Sequence, residues 1–240
     1  MLKVLLTGPS GRMGPHLVGP FRERYELFTF DLQPSNQPNS FVGDLSEIEP
    51  LRAAMRGVDV VVHLAATSDE APFMEKLLEP NVIGVTNVLE AARLEKVRRV
   101  VFASSIQAVG LNERNSSEPT GVEMLPRPNS MYGVTKVWGE TVGRYYHDKY
   151  KLEFIAIRLG AFEAYDSPNL TKRGYRAIWL SPRDAVGVFR AAIETDGIGY
   201  AIVNATSITL KEHLSLQPAR ELLGWEPQEK PSDFVEEKAD

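Results

Sequence analysis

The chain has 240 residues, enough for one full-sized domain but too few for two large ones. Hydrophobic residues at 43% beside charged residues at 25% match an ordinary folded protein, which excludes the disordered and fibrous classes. A formal net charge of -5 without clustered Lys and Arg argues against nucleic acid, the lack of cysteine excludes disulfides and thiolate chemistry, and His16, His63, His147 and His213 have no metal-ligand spacing.

The first run, KVLLT, predicts a buried strand that enters a glycine turn at once, so no signal or transit segment is expected. Apolar runs are strand-sized throughout, so no membrane span is expected and the default location is the cytoplasm. In TGPSGRMG, Gly8, Gly11 and Gly14 open a helix directly after that strand. Glycines there let backbone amides approach a pyrophosphate at the positive helix end, a dinucleotide cradle that also contains Arg12 and Met13. Pro15 fits the first helical turn, but Pro20 predicts that the helix stops near Gly19.

ELFTF reads as the second strand and ends at Asp31. That carboxylate suits the ribose hydroxyls of an adenosine and repels a 2'-phosphate, favouring NAD over NADP, with Arg12 the group that works the other way. Asp44 in VGDLS stands either at a strand end facing an adenine or as the N-cap of a helix over about 45–55. Further strands are read in VDVVVHLAA, RRVVFAS, LEFIAIRL and GYAIVNA, and further helices over about 72–94, 130–150 and 182–194, the last opened by a Ser-Pro-Arg-Asp cap at Ser181. Strand and helix in alternation predict an α/β fold, a Rossmann-type doubly wound parallel sheet. The helix from Ser130 places Tyr132 and Lys136 four residues apart on one face, a spacing open both to packing and to an acid-base pair.

Taken together, TGPSGRMG, Asp31, GDL, HLAA, NVIGVTN, FASS, YGVTK and RLG resemble the extended short-chain dehydrogenase/reductase family, the NAD-dependent epimerase/dehydratase group, over nearly the whole chain. The resemblance implies Tyr132, Lys136 and Ser105 as catalytic residues, with Ser104 the alternate to Ser105. It implies NAD contacts from Gly8, Gly11, Arg12, Met13, Gly14, Asp31, Asp44, Leu45, Leu64, Ala65, Ala66, Asn81, Ser104, Tyr132 and Lys136, with Asn81 also a buttress. Within that family the wording around Ser68, Tyr132 and Ser181 is similar to the uronate dehydrogenases. That likeness implies substrate contacts from Ser68, Ser105, Ile106, Gln107 and Tyr132, and a carboxylate partner in Arg173 or Arg176. Ile106 and Gln107 replace the Asn and His of those enzymes, and Ala161 replaces their serine.

Read this way, the chain is one domain, with a dinucleotide-binding core over 1–160 and a small sheet-completing, substrate-binding region over 161–240. Only 82 residues follow Arg158, which favours a small sugar, sugar acid or related alcohol over a nucleotide-linked sugar. An epimerase or carbonyl reductase is the alternative activity, and a non-catalytic dinucleotide sensor has no need of YGVTK. Val137, Trp138 and Tyr145 are expected to pack across a two-fold axis in a homo-oligomer.

Overall fold

A computed structural model describes residues 1–112, 118–209 and 211–231, with the side chain of Arg173 outside that description. Seven parallel strands form one sheet: β1 (Lys3–Thr7), β2 (Glu26–Asp31), β3 (Ser40–Val42), β4 (Val60–His63), β5 (Arg99–Ser105), β6 (Glu153–Leu159) and β9 (Tyr200–Ala205). Their spatial order is β3-β2-β1-β4-β5-β6-β9, so the chain starts mid-sheet, runs outward one way, and returns to β4 to run the other. That reversal opens a crevice beyond the carboxyl ends of β1 and β4. The β-branched runs read as strands are buried along β4 and β5, as parallel strands covered on both faces require.

Helices α1 (Gly14–Arg22), α6 (Pro182–Glu194) and α7 (Gln217–Leu223) cover one face and α2 (Ile48–Met55), α3 (Val85–Leu94) and α4 (Met131–Tyr150) the other, forming two separate hydrophobic layers. A small second sheet pairs β7 (Ala161–Phe162) with β8 (Trp179–Leu180), and the one-turn α5 (Arg173–Arg176) lies between them. None of the helices described is long and apolar enough to cross a membrane.

Three local expectations are corrected. Helix α1 does not stop near Gly19 but runs to Arg22 through Pro20, because Leu17 and Phe21, one turn apart, are both fully buried and hold its last turn against the sheet. Helix α2 begins at Ile48 rather than near Leu45, since Asp44 accepts from Ser46 N at 2.8 Å and turns the chain first. This removes the N-cap reading of Asp44. The helix expected over 72–94 is two: a wide π-helical run, Phe73–Gly84, leads into α3. Pro80 lies inside the wide run and has no amide to give to an α-helical bond. Ser181 caps α6 as expected, accepting from Asp184 N at 3.0 Å. Asp184 itself is buried and takes Ser207 Oγ (2.6 Å) and Gln228 N (2.7 Å), tying the C-terminal segment to the sheet.

Candidate active site

A cleft of about 900 Å³ lies along the carboxyl ends of the strands. One end is built from the loop between β1 and α1. Gly8 has φ of +73° and a Cβ there would come within 2.8 Å of Ala65, while a Cβ on Gly14 would come within 2.3 Å of Pro9 O, so the chain itself demands these two glycines. Gly11 differs: a Cβ there meets only Gly8 O, at 3.4 Å. What favours glycine at this position is therefore the cleft, as expected where a ligand's phosphates approach backbone. Helix α1 opens here with no side-chain cap and no acid in its first turn, leaving its amides and partial positive charge for an anion. These features fit a dinucleotide.

Asp31, at the end of β2, lines the same region with Asp44, Leu45, Leu64, Ala65 and Ala66. Its Oδ2 accepts from Ser10 N (3.0 Å) and Ser10 Oγ (2.7 Å), and its Oδ1 from Gln33 N (3.1 Å). Three of roughly four acceptor sites are occupied, so an incoming hydroxyl pair must displace Ser10 Oγ. Ser10 is a cleft residue that the sequence did not single out. Arg12 reaches across the rim to Asp69 at 2.8 Å, both side chains more than half exposed.

At the other end α4 brings Tyr132 and Lys136 over the end of β5. The helix lies close to the sheet because Gly139 and Gly143 face it: a Cβ would approach the Phe102 ring to 2.4 Å and the Phe154 ring to 2.3 Å. Ser130 caps α4, accepting from Gly133 N at 2.9 Å, and donates to Gln107 Oε1 at 2.5 Å. Lys136 is buried, with Nζ 4.9 Å from the Phe102 ring and 5.3 Å from the Tyr132 ring. Burial pulls its ammonium down to about 8, opposed by Glu140. Burial pushes the half-buried Tyr132 phenol above its ordinary value, and Asp69 adds to this, while Arg12 and the nearby Ser105 hydroxyl act against it.

Consecutive serines on β5 point to opposite sides. Ser105 Oγ faces Tyr132 and accepts from Gln107 N at 3.1 Å; Ser104 donates to Glu140 Oε1 at 2.6 Å. Glu140 also accepts from Arg158 Nε and Nη2, each at 2.8 Å, with both residues buried. Removing one partner of such a pair typically costs about 3 to 5 kcal/mol. Asn81 stands behind the cleft rather than in its lining. It joins the loop after β4 to α4 by accepting from Thr67 N (2.8 Å) and donating to Thr67 O (2.9 Å) and Thr135 Oγ1 (3.1 Å).

Ser68, Ile106 and Gln107 line the cleft, together with Ala161, Glu163, Asn169 and Tyr175, the last three not foreseen from sequence. Glu163 accepts from Ser167 Oγ (2.5 Å) and Asn169 Nδ2 (2.9 Å). Arg176 is not part of the lining and donates to Thr171 O at 3.3 Å.

The model of a family described as NAD dependent epimerase/dehydratase matches residues 4–178. The NAD-dependent glucose-6-phosphate dehydrogenase of Haloferax volcanii is 35% identical, with 97% of this chain and 95% of that protein covered. The L-arabinose 1-dehydrogenase (NAD(P)(+)) of the same organism is 30% identical, covering 98% of this chain and 100% of that one. The crystal structure of uronate dehydrogenase from Agrobacterium tumefaciens superimposes with a TM-score of 0.86 at 31% identity, over 98% of this chain and 87% of that one. A mutant of that enzyme, solved complexed with NAD, gives 0.85 at 29% identity, over 98% and 87%.

Proposed function

This chain belongs to the NAD-dependent epimerase/dehydratase family, and from that premise we propose that it is an NAD-dependent dehydrogenase that oxidises a small sugar or sugar acid. The observation that supports it most is the meeting of Tyr132 with Ser105, over buried Lys136, in the same cleft as the glycine cradle. Bound NAD supplies the hydride acceptor. Gly8, Gly11, Arg12, Met13 and Gly14 would hold its pyrophosphate, Asp31 its adenosine ribose, and Asp44 and Leu45 its adenine. Leu64, Ala65 and Ala66 line the site, Lys136 and Tyr132 would reach the second ribose, and Asn81 ties the loop after β4 to α4.

The chain's own residues handle the proton. Ser105 holds the substrate hydroxyl oxygen by a hydrogen bond, and Tyr132 accepts its proton at the phenol oxygen. Burial opposes ionisation of that phenol and the Ser105 hydroxyl acts for it; the positive charge of Lys136, 5.3 Å from the ring, acts in the same direction. Ser68, Ile106 and Gln107 flank the reacting carbon.

Of the two arginines expected to meet a substrate carboxylate, Arg176 turns to Thr171 O, and the side chain of Arg173 lies outside the described residues. A neutral sugar is favoured by one observation: Glu163 lines the same end of the cleft and disfavours a second carboxylate. The protein works as a cytoplasmic homodimer, with Ile83, Val134, Trp138 and Tyr145, each more than 40% exposed, forming the contact between copies.

The test is NADH formation from NAD with galacturonate, glucuronate, galactose, arabinose and glucose 6-phosphate in parallel. Oxidation of at least one supports the reading, and no NADH from any of them removes it. Isomerised sugar without net NADH establishes the epimerase alternative.

A further inference from the structure

We infer that Glu140 is a positioning residue: clamped by Arg158 and Ser104 one turn beyond Lys136, it sets the charge of that lysine and, through it, the ionisation of Tyr132. This rests on the roles proposed for Tyr132 and Lys136 and adds to them a residue that touches neither substrate nor cofactor.

Helix α4 carries Tyr132, Lys136 and Glu140 at successive four-residue steps, with Lys136 and Glu140 buried against the sheet and Tyr132 at its cleft end. Lys136 and Glu140 are 4% and 3% exposed, and Arg158 is 1% exposed. The carboxylate is bidentate on Arg158 and also accepts Ser104 Oγ, which fixes its rotamer. These bonds join α4 to β5 and β6 at the level of the catalytic lysine. They also account for the serine pair at the end of β5, one facing the cleft and one facing Glu140.

The groups that face Lys136 are few. On α4 they are Tyr132 and Glu140; on β5 the ring of Phe102; on β6 Arg158, beyond Glu140; and on β4 His63. Beside the preceding turn Asn81 is neutral and bound to Thr135. Arg12 and Asp69 act on Tyr132 from the rim. His63 is buried on Thr7 Oγ1 at 2.8 Å, and burial, helped by Lys136, holds its imidazole down to about 3, so it adds no charge near neutral pH.

The cluster therefore holds two cations and one anion, one net positive charge shielded from water. Loss of the Tyr132 proton brings it to zero. Without the Glu140 charge, two cations remain buried together, and since arginine does not give up its proton, Lys136 must. Without the Arg158 charge, Glu140 acts on Lys136 alone and holds its proton more firmly.

Lysine labelled with ¹³C at Cε in the full chain tests this by NMR titration, with the Lys136 signal assigned by its loss in K136M. In E140Q, Lys136 should titrate about 1 to 3 pH units lower than in the parent, and in R158Q higher. The alkaline limb of kcat/KM should move in the same directions. A purely structural role for Glu140 would lower Tm in both variants and leave the Lys136 titration where it was, and that result overturns the inference. Should E140Q fail to fold, R158Q decides alone: an upward movement supports the inference, and none removes it. Undiminished turnover in K136M would instead remove the proposed role of Lys136, a separate outcome read from a separate variant.

Discussion

Tyr132 illustrates how strongly a single side chain depends on its surroundings, because burial and Asp69 both oppose the ionisation that its proposed role requires. Replacing it with Phe removes the proton acceptor but little packing. Y132F should bind NAD within a few-fold of the parent while turnover falls about 10²- to 10⁴-fold; full activity in this variant would exclude the tyrosine as base. For Asp31, the serine variant should weaken NAD by about 1 to 3 kcal/mol and ease the repulsion of NADP. Calorimetric titration of both dinucleotides checks this, and a parent that already prefers NADP would place Arg12 above Asp31. The Tyr-Lys spacing and the glycine triplet were legible in the sequence because each is a local pattern. Glu140 was not, although it lies four residues beyond Lys136, because its meaning depends on Ser104 and Arg158, which come from two other strands. Ser10 was hidden for the same reason: its partner Asp31 is 21 residues away.

Among the elements, strands and long helices were readable from hydrophobic pattern, and their ends were less so. Pro20 shows why. A rule for isolated helices stops α1 before it, but burial of Leu17 and Phe21 outweighs one missing hydrogen bond. Alanine at this position restores an amide donor without disturbing the buried face. P20A should raise stability by about 2 kcal/mol, since the roughly 3 kcal/mol cost of an interior proline exceeds the 0.4–1 kcal/mol of chain entropy that alanine returns to the unfolded state. At this chain size that is roughly 4 to 8 °C in Tm, read by calorimetry; an unchanged or lower Tm would mean that the helix has already adapted to its proline. The strands β7 and β8 were invisible for a simpler reason. Two residues each carry no periodicity, and their pairing is set by the chain around them.

At the scale of the whole molecule, alternation of strands and helices gave away the doubly wound sheet. The roof of the cleft between Ala161 and Leu180 did not follow from any pattern, because its short elements take their form from side-chain ties such as Glu163 to Ser167 and Asn169. The proposed dimer is testable at this scale too: W138E should sediment as a monomer at concentrations where the parent is a dimer, because it sets a charge in the centre of the apolar contact. A parent that is itself monomeric would remove the proposal. The sheet has one more consequence, for how mutations combine. It separates two packed layers, with Ile193 in one and Leu89 in the other. Strain or a void on one side can reach the other only through the strands, whose alternate residues serve the two layers. I193V should cost about 0.5 to 1.5 kcal/mol and L89A about 2 to 5. The double variant should then match their sum to within about 0.5 kcal/mol, so that a library of stabilising changes can be optimised one face at a time and the two halves joined without retesting every pair.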